Sequence, residues 1–226
     1  MSFRIPALII GLLTALLLGR TVSAQVDPLR GPPGCVPIAE RQTERGCYLL
    51  ISDKLGKLPT GPLYWSITKF ATRVEAENAR GSYSTVVEAL GKVWLFTIGT
   101  EGWRGDGEHV ASLGPIEVDA RLEYTATYAE AIMLPGATTM VHRHAGPELI
   151  HVLQGEECME TPDGKQIGRP GGKPVIVAAN VPHKLTATGA AERLALALVL
   201  HDTREPWVNR AHDHGWQEKG LCKAVE

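Results

Sequence analysis

The sequence predicts a mainly β protein, a barrel or sandwich of short strands preceded by a small α+β extension. Three observations carry this. From residue 116 onward, short apolar segments alternate with turn residues at close intervals. Within that region Tyr124, Ala126, Tyr128, Glu130 and Ile132 alternate with Thr125, Thr127, Ala129, Ala131 and Met133, the two-residue period of a strand with two different faces. Earlier in the chain, Thr72 followed by Glu75 forms a capping box just ahead of a short helical stretch.

A chain of 226 residues with 44% hydrophobic and 21% charged composition has room for one good-sized domain with an extension. The net charge of −2 and the scattered basic residues give no stripe with interleaved aromatics, so nucleic acid is not an expected partner. Arg4, an apolar run over residues 5–19, and small residues at Val22 and Ala24 read as a signal peptide over 1–24, with an uncleaved membrane anchor as the alternative. Its removal takes away Arg4 and Arg20 and no acid, moving the net charge from −2 to −4. A periplasmic or secreted location follows, with no stable membrane span after cleavage.

In that oxidising setting Cys35, Cys47, Cys158 and Cys222 are read as structural, and none has metal-site spacing. Three pairings are open, of which Cys35 with Cys47 is the most local.

Residues 25–34, rich in Pro and Gly, read as a flexible leader, and 35–115 as the extension. Within it a strand is expected at 63–67, a helix at 73–79 stopped by Gly81, a buried strand at 93–98, and a loop at 99–109. The barrel is expected over 116–201, with strands at 138–144, 148–154, 158–161, 174–178, 183–187 and 194–201 besides the alternating one. Residues 202–226, with Trp207 and Trp216, form a tail expected to pack back on it.

The chemistry is concentrated in four residues. Side chains two apart in a strand share a face, so His142 and His144 project together while Arg143 points away. The turn Ala145-Gly146-Pro147 brings Glu148 alongside on the next strand. His183 follows Asn180-Val181-Pro182 at the start of a later strand, where a further ligand closes the set.

Gly136-x5-His142-x-His144-x3-Glu148-x6-Gly155 fits the first motif of the cupin superfamily at every defined position. The second motif, G-x5-P-x-G-x2-H-x3-N, is met at Gly172 and His183, while Ala178, Asn180 and Ala187 replace its Pro, Gly and Asn. Asn180 can supply the left-handed turn that Gly usually makes. The chain thus resembles a cupin over about 116–201. The resemblance implies a double-stranded β-helix barrel holding one divalent ion (Fe, Mn, Ni, Cu, Co or Zn) on His142, His144, Glu148 and His183.

By alternation, Thr138 and Met140 should face inward with His142, and Ile150, Val152 and Gln154 with Glu148. Such largely apolar walls suit a small organic ligand. Tyr128 and Glu130 are further candidates for the pocket, Glu130 as a general base if burial raises its pKa, against the reading of an outward, solvated Glu. His109, His151, His201, His212 and His214 are not assigned to the site, the last two being read as surface residues.

The reading that follows is a metal-dependent enzyme acting on a small molecule, with dioxygenase-like chemistry implied first by the resemblance. Lyase or isomerase chemistry and a non-catalytic ligand-binding or sensing module are the alternatives. Cupins often pair through strand edges, so a homodimer is expected.

Overall fold

The computed structural model describes residues 35–102, 105–209 and 215–224, together with Met1. The expected signal peptide and leader, and His212 and His214, lie outside the described residues. The elements run in order β1 (Val36–Pro37), a short 3-10 turn, β2 (Gly46–Gly56), β3 (Leu63–Phe70), α1 (Arg73–Asn78), β4 (Ser84–Ala89), β5 (Lys92–Gly99) and β6 (Glu108–Ile116). There follow β7 (Tyr124–Met133), β8 (Glu148–Gln154), β9 (Glu157–Thr161), β10 (Gly164–Gly168), β11 (Val175–Val177), β12 (Lys184–Ala187) and β13 (Arg193–Asp202).

These strands form three sheets, ordered β1-β2-β7-β13-β8-β11, β10-β9-β12 and β4-β5-β3-β6. They stack as a three-layer sandwich with the six-stranded sheet in the middle, and the sheets do not close into one continuous hydrogen-bonded barrel. Between the middle and the four-stranded sheet lies an aromatic and leucine core: Trp65, Trp94 and Phe96 meet Tyr128, Leu196, Leu198 and Leu200. Trp65 packs edge-on to Phe96 at 5.2 Å, and Phe96 lies 4.9 Å from Tyr128 between ring centroids. On the other side, Met133, Ile150, Val152, Met159, Val175 and Leu185 fill part of the space facing the three-stranded sheet.

α1 begins as the capping box requires: Thr72 Oγ1 accepts from Glu75 N at 3.2 Å and Thr72 N donates to the Glu75 carboxylate at 3.0 Å. Its Ala76 packs with Val86 and Leu95 on the outer face of the four-stranded sheet.

Two differences from the sequence reading bear on the site. β2, inside the segment assigned to the extension, pairs antiparallel with β7 in the middle sheet, so residues 36–56 belong to the same sheet as the site. β2 has apolar residues on both faces, which suits a strand with the aromatic core on one side and the cavity on the other. Second, the strand expected at 138–144 is instead an irregular segment held by isolated bridges, Thr138 with Thr186 and His142 with His183. Gly146 explains the tightness of the turn that follows. A Cβ there would lie 1.8 Å from the carbonyl oxygen of Leu200, so only glycine lets the turn before Glu148 press against β13.

Disulfides join Cys35 to Cys47 and Cys158 to Cys222. The second ties the tail to β9, where the Glu160 carboxylate also accepts from the backbone N–H groups of Lys219 and Leu221. Two disulfides suggest an oxidising, exported location. Among the described residues, no helix is long and apolar enough to cross a membrane. Because the Cys158–Cys222 bridge spans 64 residues, replacing both cysteines by alanine should lower stability by about 4 kcal/mol through the entropy returned to the unfolded chain. Thermal or urea unfolding should register this as a clear fall in midpoint, and an unchanged midpoint would contradict it.

Candidate metal centre

The irregular segment after β7 delivers His142 and His144, β8 opens with Glu148, and β12 is entered through His183. His142 and His183 face each other and exchange both backbone hydrogen bonds, at 3.1 and 2.9 Å, which fixes two ligands from opposite ends of the domain. Before His183, Asn180 takes the left-handed conformation at φ 61° and donates its backbone N–H to the carbonyl of His144 at 2.8 Å. The turn expected of a glycine is therefore made by asparagine, whose short polar side chain tolerates it.

Each imidazole is oriented by its Nδ1, which lies 2.9 Å from a backbone carbonyl: His142 from Met140, His144 from Trp207, His183 from Val181. A carbonyl only accepts, so in the neutral ring Nδ1 carries the proton and Nε2 presents its lone pair. The Trp207 ring also stacks on His144 with centroids 5.4 Å apart. The ligand atoms of His142, His144, Glu148 and His183 all lie within 4.8 Å of one another.

The fit to a cation rests on the atoms left over. Among the described residues, His144 Nε2, His183 Nε2 and Glu148 Oε2 are buried without a hydrogen-bond partner, although His183 Nε2 stands 3.1 Å from Glu148 Oε2. A lone pair and a carboxylate oxygen repel at that distance unless a proton or a metal ion lies between them. Three imidazole nitrogens and one carboxylate suit Mn, Fe, Co, Ni, Cu or Zn, so the cluster could hold a metal ion.

Although His142 is only half-buried by surface area, desolvation is the largest influence on it. With the neighbouring His183 and His144 adding to this, its pKa falls to about 3. Burial likewise holds His144 below its usual value. For Glu148, burial pushes the carboxyl up, but the surrounding imidazoles, His144 first, outweigh it and hold it below the carboxylate range.

The cluster opens into a cavity of about 90 Å³ between the middle and three-stranded sheets. Met140 and Ile150 line it. Thr138 is replaced in the wall by its neighbour Thr139, because the segment is not a regular strand. Val152 is buried deeper in the adjoining core, and the Gln154 side chain bonds the carbonyl of Glu192 outside the cavity.

Tyr128 and Glu130 lie on the opposite face of β7 from the cavity. Tyr128 belongs to the aromatic core. Glu130 is 1% exposed, but it accepts from Arg41 at 2.5 Å and from the backbone N–H of Leu90 at 2.7 Å, tying the N-terminal segment and the β4–β5 turn to the sheet. It is therefore neither a solvated surface residue nor a general base of this cavity.

The residues that do form the wall on this strand are Thr127, Ala129, Ala131 and Met133, joined by Ala197, Val199, Met159, Leu185, Arg193, Trp207 and the Cys35–Cys47 disulfide. Thr127, Ala129 and Ala131 are small and leave room for the cavity, but the opposite face also carries a small residue, Ala126, so side-chain size alone did not mark the cavity side in the sequence. His201 is also buried on this face, its Nε2 3.2 Å from Thr127 Oγ1. His151 is half-buried, and burial lowers its pKa. His109 lies on β6, away from the cluster.

Residues 129–200 match the family described as Cupin domain. Among solved structures, this chain is similar to a cupin superfamily protein from Desulfitobacterium hafniense, at 20% identity, TM-score 0.31, over 38% of this chain and 74% of that one. It is also similar to a cupin 2 domain-containing protein from Halorhodospira halophila, at 25% identity, TM-score 0.32, over 39% and 58%. A third is an oxalate oxidase in complex with the substrate analogue glycolate, at 16% identity, TM-score 0.32, over 39% and 46%. No curated protein matches the chain in sequence.

The depressed imidazole pKa values set a pH dependence for the metal-free protein. In the unfolded chain the histidines take up protons near 6.5, whereas folded His142 does so only near 3 and His144 below its usual value. Their contribution is thus present above 6.5 and is lost as pH falls toward 3. Glu148, lowered from 4.5, works in the same direction at the acid end. Metal-free protein should lose thermal stability on acidification from about pH 7 to about pH 4, and His142→Leu should flatten part of that slope. A midpoint insensitive to pH over this range would contradict the assignment of neutral imidazoles. The match over residues 129–200, which contain all four clustered side chains, and the sheet sandwich that carries them identify this part of the chain as a cupin domain.

Proposed function

We propose that the protein is an exported, metal-dependent cupin that binds one divalent ion per chain on His142, His144, Glu148 and His183 and acts on a small organic molecule by oxygenase-type chemistry. The observation that carries this is the set of three imidazoles, each held in one tautomer by a backbone carbonyl, converging with one carboxylate on a largely apolar cavity. When bound, the ion would supply a Lewis acid and, for redox-active metals, a partner for dioxygen.

The protein's own part is positioning and exclusion of water. Met140, Ile150, Met159 and Leu185 provide a dry wall for the body of the ligand, and the Nδ1–carbonyl bonds keep the imidazoles from rotating away. Glu148 is the only carboxylate in the cavity wall among the described residues. With Glu130 on the far face of β7, no second acid stands ready to move a proton, which favours oxygenase-type over lyase or isomerase chemistry. Export is proposed to begin at the signal peptide over residues 1–24.

Elemental analysis of protein purified from its exported compartment should find close to one ion per chain, lost in the His142→Ala, Glu148→Ala double variant. Oxygen-uptake screening with small organic molecules should find a substrate whose consumption stops on chelation and resumes on adding back the metal. Turnover that persists in the metal-free variant would overturn the enzymatic reading, and stoichiometric ligand binding without turnover would assign a sensing module instead. Mass spectrometry of the exported protein should give a mature N-terminus at Gln25, and retention of Met1 would contradict cleavage.

A further inference from the structure

The cavity has a second polar end that the metal cluster does not account for. Arg193, at the start of β13, is 2% exposed and lines the cavity wall. Its Nε and Nη2 both point at a single oxygen, Oε2 of the fully buried Glu157, the former at 2.5 Å. This is not the side-by-side fork in which each carboxylate oxygen takes one N–H. The remaining nitrogen, Nη1, reaches only the thioether of Met133 at 3.6 Å, a weak acceptor in the same wall. Among the described residues, Glu157 Oε1 has no hydrogen-bond partner.

The two members of this pair are not placed alike. Glu157 is wedged against β10: a Cβ at Gly168 would lie 2.9 Å from Glu157 Cγ and 3.0 Å from its Oε1. Glu157 does not line the cavity, whereas Arg193 does. A ligand in the cavity therefore meets the guanidinium with an under-used donor, not the carboxylate. Burial also pushes the Glu157 carboxyl upward against the pull of Arg193, which weakens its compensation of the cation. Arg193 opens β13 while Glu148 pairs with Val199 further along the same strand, and the lining residues Ala129, Ala131, Ala197, Ile150, Met159 and Leu185 are apolar.

We propose that this cavity takes a small organic carboxylate, its carboxylate accepting from Arg193 Nη1, its apolar body along the alanine-lined wall, and its other end toward His142, His144, Glu148 and His183. The assignment rests on the cavity being the ligand site of the function proposed above, and it adds the chemical class of the ligand. A neutral amide of the same shape cannot replace the carboxylate, because it offers the guanidinium an uncharged acceptor only.

The test compares butanoate with butanamide by saturation-transfer NMR on the full mature chain, once chelator-treated and once loaded with zinc. Butanoate should bind roughly tenfold or more tighter than butanamide, the size expected of a charge-assisted hydrogen bond over a neutral one. The preference should survive Arg193→Lys and fall to within about twofold when Arg193→Met is combined with Glu157→Leu, a replacement that leaves no unpaired buried charge. Zinc content of the double variant should equal that of the wild type. As a second measurement needing no variant, butanoate and not butanamide should shift the Arg193 Nε resonance.

Equal binding of the two probes by the wild type, a preference that persists in the double variant, or an unmoved Arg193 resonance would each overturn the assignment. Failure of the chain to take up zinc, with the butanoate preference intact in the chelator-treated sample, would overturn the metal reading and leave the carboxylate site standing.

Discussion

A strand in the middle layer of a three-layer sandwich has to satisfy two interfaces at once, and β7 and β13 do so by sending alternate residues to opposite sides. Tyr124, Ala126 and Tyr128, with Leu196, Leu198 and Leu200, go to the aromatic core shared with the four-stranded sheet. Thr127, Ala129 and Ala131, with Ala197 and Val199, face the other way. Tyr124, Tyr128 and the three leucines close the first interface, while Ala129, Ala131 and Ala197 hold the second open beside the histidine cluster. The position of the cavity, its apolar walls and the exclusion of Tyr128 and Glu130 from it all follow from this division.

Within the cavity, polarity is confined to a few places, and the two charged groups stand at different points of the wall. Around Glu148 stand three imidazoles, oriented by carbonyls of Met140, Trp207 and Val181 from three separate segments. At Arg193 there is a guanidinium whose carboxylate partner is packed away behind the wall. In a low-dielectric interior such isolated groups dominate what the space accepts, since every unmatched donor or acceptor is costly.

Covalent links hold parts of this wall from outside the sheets. The Cys35–Cys47 bridge brings the N-terminal segment to the cavity beside Leu49, and Cys158–Cys222 anchors the end of the tail on β9. Trp207 touches the cluster directly, through its ring on His144 and its carbonyl on Nδ1 of the same residue. Residues far apart in the chain thereby become parts of one site.

The spacing of Gly136, His142, His144, Glu148 and Gly155, with the later His183, was enough to pick out the cluster, because His142, His144 and Glu148 are near neighbours in the chain joined by a three-residue turn, even though the segment bearing the two histidines is irregular and not the strand expected. The short strands after residue 116 and the capping box at Thr72 were legible for the same reason: their signals lie within a few residues of one another. What the sequence could not decide was which face of β7 looks at the cavity, since both faces are apolar and the choice depends on β2, β13 and the four-stranded sheet packing from two sides. Only the tertiary structure decided that, and with it the pairing of the cysteines, the seat of Trp207 and the presence of Arg193 in the wall. Each of these rests on contacts between segments distant in the chain, which local pattern does not encode.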